Sequence, residues 1–182
     1  MLAYVFWHRP GDDADRAAYE KSGLAFQAAL LQAAPPGLIA AASFAIEAVP
    51  WLGDRPGYED WCLLEGAWAM DPLNAWAVSG AVTVPHDHVA RQMAEGHGGL
   101  YAHAFGEPIL PGDSTISWLT RPRGIDWRAA FAPIRIVDPR AQAWRRQMVL
   151  GPAPEFAVVS EGAPQAAPDG WLARVIKRRR LR

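Results

Sequence analysis

The chain has 182 residues, 51% hydrophobic and 20% charged, with a formal net charge of −1; that is enough for one ordinary globular domain or two small ones sharing a core. Near-neutrality supplies no global field, which argues against nucleic acid or an anionic membrane as a partner. A single cysteine, Cys62, rules out an internal disulfide and suits a reducing compartment. The N-terminus carries no basic segment and only a short apolar run, so a cytoplasmic protein without signal or membrane span is expected.

Residues 2–9 (L-A-Y-V-F-W-H-R) read as a strand. Alternation sets Leu2, Tyr4, Phe6 and His8 on one face and Ala3, Val5, Trp7 and Arg9 on the other. Both faces are apolar nearly to the end, which predicts a central strand covered on both sides. Pro10-Gly11 breaks it. Tyr19, Gly23, Phe26, Leu30 and Ala33 then recur at helical spacing, predicting a helix over 15–34 that stops at Pro35-Pro36-Gly37. Residues 38–49 are expected as a second strand despite their alanines, and 58–66 as a third after a turn rich in proline and glycine. Asp71-Pro72 reads as an N-cap followed by proline in the first helical turn. A short helix to about 79 and another from Pro85 to about Glu95 follow. Gly96-His97-Gly98-Gly99 would close the latter, leaving 100–105 as a fourth strand. The order βαββαβ is the ferredoxin-like split unit.

An echo follows. Ile116–Pro122 (I-S-W-L-T-R-P) repeats Tyr4–Pro10 (Y-V-F-W-H-R-P), an aromatic strand halted at Arg-Pro, and 155–162 echoes 59–66. The expectation is an α+β fold with a first unit over 1–106, a linker over 107–114 and a second, truncated unit over 115–182. In the second unit a shortened helix falls at 126–132 and a hairpin at 142–150 with 155–160. A loop over 163–170 replaces the second helical layer, and the tail 171–182 reads equally as strand or helix. Each four-stranded sheet must bury its open face. Two tandem sheets do so against each other, as a sandwich or a barrel.

The βαββαβ order and the Pro85-His86 step opening a helix resemble the dimeric α/β-barrel superfamily, which includes stress-responsive barrel domains, EthD-like proteins and small cofactor-free monooxygenases. The resemblance covers Leu2–Phe105 well and Thr115–Arg182 in degraded form, with Thr120 standing where His8 stands. It implies a cavity between sheet and helices, lined by apolar and aromatic groups with one or two polar residues, in a monomer or homodimer, and no cofactor.

Nine tryptophans require a deep core or a pocket. The candidates for proton transfer are His8, at the end of the first strand, and His86. Trp7, Arg9, Tyr58, Trp61, Glu65, Tyr101 and His103 are candidates for ligand contact. Asp60 and Glu65 fall on opposite strand faces and form no carboxylate pair, while a buried Glu65 would serve as a base. Cys62 reads as packing. His86, His97 and His103 offer a three-histidine metal alternative, although His-x-His at 86–88 splays two rings on a helix and the spacing matches no zinc pattern. The basic run Lys177–Arg182 lacks the aromatic-basic face of a nucleic-acid site and reads as solvated. No phosphate loop, G-x-S-x-G or H-E-x-x-H occurs.

Three functional readings follow: a protein holding a small apolar or aromatic molecule, with or without cofactor-free catalysis of the monooxygenase or isomerase kind; a non-catalytic interaction module, which predicts no enclosed pocket above about 300 Å³; and a histidine metal site.

Overall fold

A computed structural model describes residues 1–126, 131, 134, 138–149 and 153–182. Eight strands close into a single barrel: β1 (Leu2–Pro10), β2 (Leu38–Val49), β3 (Arg55–Leu64), β4 (Met93–Phe105), β5 (Ser114–Thr120), β6 (Gln142–Val149), β7 (Phe156–Ser160) and β8 (Leu172–Arg180). Around the barrel they run β1-β3-β2-β8-β5-β7-β6-β4, each pair antiparallel. Helices α1 (Arg16–Ala33), α2 (Met70–Ala77) and α3 (Thr83–Gln92) lie outside the β4-β1-β3-β2 side. The expected α+β class and the hairpin of β6 with β7 are observed, and the tail is a strand. No helix among the described residues is long and apolar enough to cross a membrane.

An eight-stranded barrel is just wide enough for side chains to fill it. Here they are Trp7, Trp61, Trp118 and Trp144 with Tyr101 and Phe44, all essentially inaccessible. The period-2 alternation of β1 sends Ala3, Val5 and Trp7 into this interior and turns Tyr4, Phe6 and His8 toward the helices. At the centre, Glu59 of β3 accepts from Trp7 Nε1 at 2.8 Å, Trp61 Nε1 at 2.6 Å and Arg178 Nη1 of β8 at 2.8 Å. The Arg178 guanidinium also donates to Ser114 Oγ and lies 4.2 Å from the centre of the Phe44 ring. Burial pulls the Arg178 pKa down and the Glu59 charge opposes the shift. The basic tail is therefore not simply solvated. As a strand it alternates, which puts Arg178 inside the barrel and pairs Arg179 with Glu20 at 2.8 Å.

Several boundaries differ from the sequence reading. Asp15 is the N-cap of α1, accepting from Ala17 N at 2.9 Å, and Ala34 closes the helix in a left-handed conformation. Asp71 caps nothing; α2 begins at Met70 and Asp71 lies in its first turn. Helix α3 starts at Thr83 and ends at Gln92, so Pro85-His86 falls within its first turn. The run Gly96–Gly99 does not end a helix but lies inside β4, which starts at Met93. The physical reason is close approach. A Cβ at Gly96 would come within 2.6 Å of the Phe6 ring, and one at Gly98 within 2.9 Å of the Tyr4 hydroxyl. The glycines let those two rings lie flat across the neighbouring strand. Strand β3 runs 55–64, which leaves Glu65 exposed beyond its end. The helix expected at 126–132 lies largely outside the described residues.

Candidate functional site

Between the β1–β3 face and the three helices lies a cavity of about 230 Å³. Tyr4, Phe6 and Phe26 supply aromatic wall, Leu30, Leu73 and Val89 aliphatic wall, and His8, Asp60 and Cys62 the floor on the sheet. The register makes this floor. Phe6 stands opposite Asp60 on β3, and Asp60 opposite Ser43 on β2, so the three form one row across three strands.

A continuous polar array crosses that row. The phenol of Tyr19, on α1, lies 2.6 Å from His8 Nδ1, and His8 Nε2 lies 3.2 Å from Asp60 Oδ2. Ser43 Oγ donates to the other Asp60 oxygen, and Gln27 Nε2 donates to Ser43 Oγ at 2.7 Å. A carboxylate only accepts. The carboxylate therefore places a hydrogen on Nε2, and Nδ1 shares its hydrogen bond with the Tyr19 hydroxyl. Tyr58 stacks on the His8 ring at 5.5 Å and locks its plane.

Both nitrogens of the buried His8 are occupied, so the imidazole has no free lone pair for a ligand. Asp60 has spare acceptor capacity and a side chain 23% exposed on the cavity wall. Asp60 is therefore the acidic group open to the cavity, and His8 positions it. Burial, followed by the Asp60 charge, pushes the Tyr19 phenol well above its ordinary value and the Cys62 thiol up to about 12. Tyr4 is also raised, by burial first and then by Cys62 and Asp60. Tyr58 rises to about 12, chiefly through burial and its contact with Glu20.

Of the sequence candidates, His8 and His86 both line the cavity. His86 sits on α3, edge-on to Phe26 at 5.8 Å, with Nδ1 3.1 Å from Asp87. The ligand-contact set is not assembled there. Trp7, Trp61 and Tyr101 point into the barrel because they occupy the opposite alternation phase, and the Tyr101 hydroxyl donates to Pro154 O at 2.8 Å. Arg9 is tied to Glu95 at 3.0 Å beyond the cavity. The Glu95 carboxyl is held low by the His97 hydrogen bond first and by Arg9 as well. Tyr58 supports His8 from behind, and Glu65 is exposed. His103 lies edge-on to Trp144 at 5.0 Å, with its Nε2 buried and unpartnered among the described residues. The three-histidine site does not form: His97 and His103 are six residues apart on β4, about 20 Å at strand rise, and His86 is on a helix. No group of three or more metal-ligating side chains occurs among the described residues.

Asp60, Tyr19, Ser43 and Gln27 were missed as site residues. The available signal was strand parity, since Asp60 and Cys62 share one face of β3; which face of β1 they join depends on the register.

No protein-family model matches the chain, and no curated protein sequence matches it. Solved structures do. An anthrone oxidase-like protein superposes with a TM-score of 0.52 at 13% identity, over 97% of this chain and 90% of the other. A protein of Lactobacillus acidophilus provisionally assigned as a monooxygenase gives 0.56 at 10% identity, over 100% and 94%. A provisionally assigned chlorite dismutase gives 0.52 at 9% identity, over 100% and 95%. The chain shares the fold of these structures. At these identities the likeness speaks to architecture alone.

Proposed function

We propose that the chain binds a small, largely apolar molecule of single-ring size in the helix-covered cavity, and that Asp60, held by His8 and Ser43, accepts a hydrogen bond or a proton from it. The observation that carries this is a carboxylate with spare acceptor capacity on the floor of an otherwise apolar cavity. The volume sets the size. An apolar cavity near 150 Å³ takes one benzene ring, so about 230 Å³ takes a ring with a short side chain. Removal of a proton is the opening step that an isomerase and a cofactor-free oxygenase share, and Asp60 is the carboxylate on the cavity floor that could take it. The oxidase-like and monooxygenase names of two fold neighbours agree with this reaction class.

The ring order supports a tandem reading as well. It divides into β4-β1-β3-β2 and β8-β5-β7-β6, two quartets of the same internal order, joined at β2–β8 and β4–β6. We infer that 1–106 and 115–182 are copies of one unit joined by 107–114, with β5 in the place of β1.

Gly23→Leu tests the binding reading. Gly23 lines the cavity from within α1, and a Cβ there meets nothing within 4 Å. Leucine directs its side chain into that space and favours helix over glycine by about 1 kcal/mol. Toluene and p-cresol are expected to raise the melting temperature of the parent protein and not that of the variant. Equal effects on both proteins, or none on either, would refute it. Two observations favour the interaction-module reading: the volume falls below about 300 Å³, and the neighbouring helical face exposes Trp76, Val78 and Val84. The absence of any ligand effect would leave that reading in place.

A further inference from the structure

We infer that this cavity selects its ligand by charge, taking an arylalkylamine in its ammonium form, with the ammonium on Asp60 and the ring among Tyr4, Phe6 and Phe26. The inference rests on the binding reading above and adds the head group.

Three observations converge. First, among the described residues no lysine or arginine lines the cavity, and Asp60 supplies its acidic side chain. An organic acid or phosphate ester would meet no guanidinium or ammonium partner, and would bring a second negative charge next to the carboxylate. Second, Asp60 is pre-set as an acceptor. His8 Nε2 and Ser43 Oγ each donate to one of its oxygens, fixing the carboxylate plane while leaving lone pairs toward the cavity. The Ser43 hydroxyl carries no charge to cancel that of the carboxylate. Arg9 is engaged with Glu95 and Arg91 with the Asp87 carbonyl, so neither neutralises it. Third, the surrounding walls are aromatic. Ring faces attract an ammonium through their quadrupole, and they do so more strongly out of water. The raised values of Tyr4, Tyr19 and Cys62, each in part through Asp60, reflect the same negative field. Asn74 and His86 offer further polar contacts on the helical wall, suited to a second small substituent.

The experiment uses three probes of one shape: 2-phenylethylamine, 2-phenylethanol and phenylacetate, titrated by calorimetry into the full-length protein at neutral pH, with toluene as the uncharged reference. The expected order is amine at least tenfold tighter than alcohol, with no measurable binding of the acid. Asp60→Asn keeps the shape and removes the charge. It should cost the amine at least tenfold while changing the alcohol less than threefold. If that variant does not fold, the parent ranking alone decides. Alcohol as tight as amine, or binding of phenylacetate, overturns the charge selection and leaves the cavity reading intact, as does binding of toluene alone. Failure of all four probes overturns the cavity reading itself.

Discussion

The Glu59–Arg178 pair offers the sharpest test of how the barrel is held together, because it joins β3 to β8 across the centre with 0% and 1% side-chain exposure. Removing one partner of such a pair strands the other charge in the interior, at about 3–5 kcal/mol. Here Glu59 also accepts from two indoles, so its loss leaves the Trp7 and Trp61 N–H groups unpaired as well. Glu59→Gln keeps one acceptor oxygen and loses the charge; it should cost about 3 kcal/mol, near the lower bound for breaking the pair. At about 2–4 °C per kcal/mol for a chain of this length, that lowers the melting temperature by about 6–12 °C. Glu59→Leu should lose more, approaching the whole margin of a typical domain. The double variant Glu59→Leu, Arg178→Met removes both charges together. It should recover at least about 2 kcal/mol relative to Glu59→Leu alone, since apolar replacement of a complete buried pair is often neutral. Urea unfolding followed by tryptophan emission reads all of this, because four indoles leave a dry interior when the barrel opens. The reasoning fails if Glu59→Gln stays within about 0.5 kcal/mol of the parent, a surface-like value, or if the two single losses simply add in the double variant.

Cys62 should resist thiol reagents in the native state. With its pKa raised from 9.0 to about 12, the thiolate population at pH 8 drops by about a thousandfold, so labelling with a disulfide reagent should be slow until urea opens the fold and should accelerate as pH climbs toward 12. Fast native labelling at pH 8 would contradict the placement of Cys62 beside Asp60 on the cavity floor. Gly57→Ala should destabilise by about 1–3 kcal/mol, because its Cβ would lie 2.6 Å from the His8 carbonyl oxygen, which belongs to a fixed strand. Gly11→Ala, where a Cβ meets nothing within 4 Å, is the neutral control. Equal melting temperatures for the two variants would count against the close β1–β3 approach.

The sequence by itself determined what depends on local alternation and breaking. Strand β1 and its two faces, the stop of α1 before Pro35-Pro36, the alanine-rich β2 and the β6–β7 hairpin were all legible, because period 2, period 3.6 and proline act within a few residues. Elements whose shape answers to a distant neighbour were not. The glycines at 96 and 98 look like a helix stop in sequence, and become strand only because the Tyr4 and Phe6 rings need the room their missing side chains leave. The tail could be strand or helix until β2 and β5 offered it hydrogen bonds on both sides. In the site, His8 stood out by residue type, whereas Asp60 emerged only when the register placed it beside His8 and Ser43 across three strands. Tertiary structure also reversed their roles. Once Tyr19 and Asp60 occupy both nitrogens of His8, the histidine becomes the support and the carboxylate the group left open to the cavity, a distinction that rests on two hydrogen bonds to His8 from other elements.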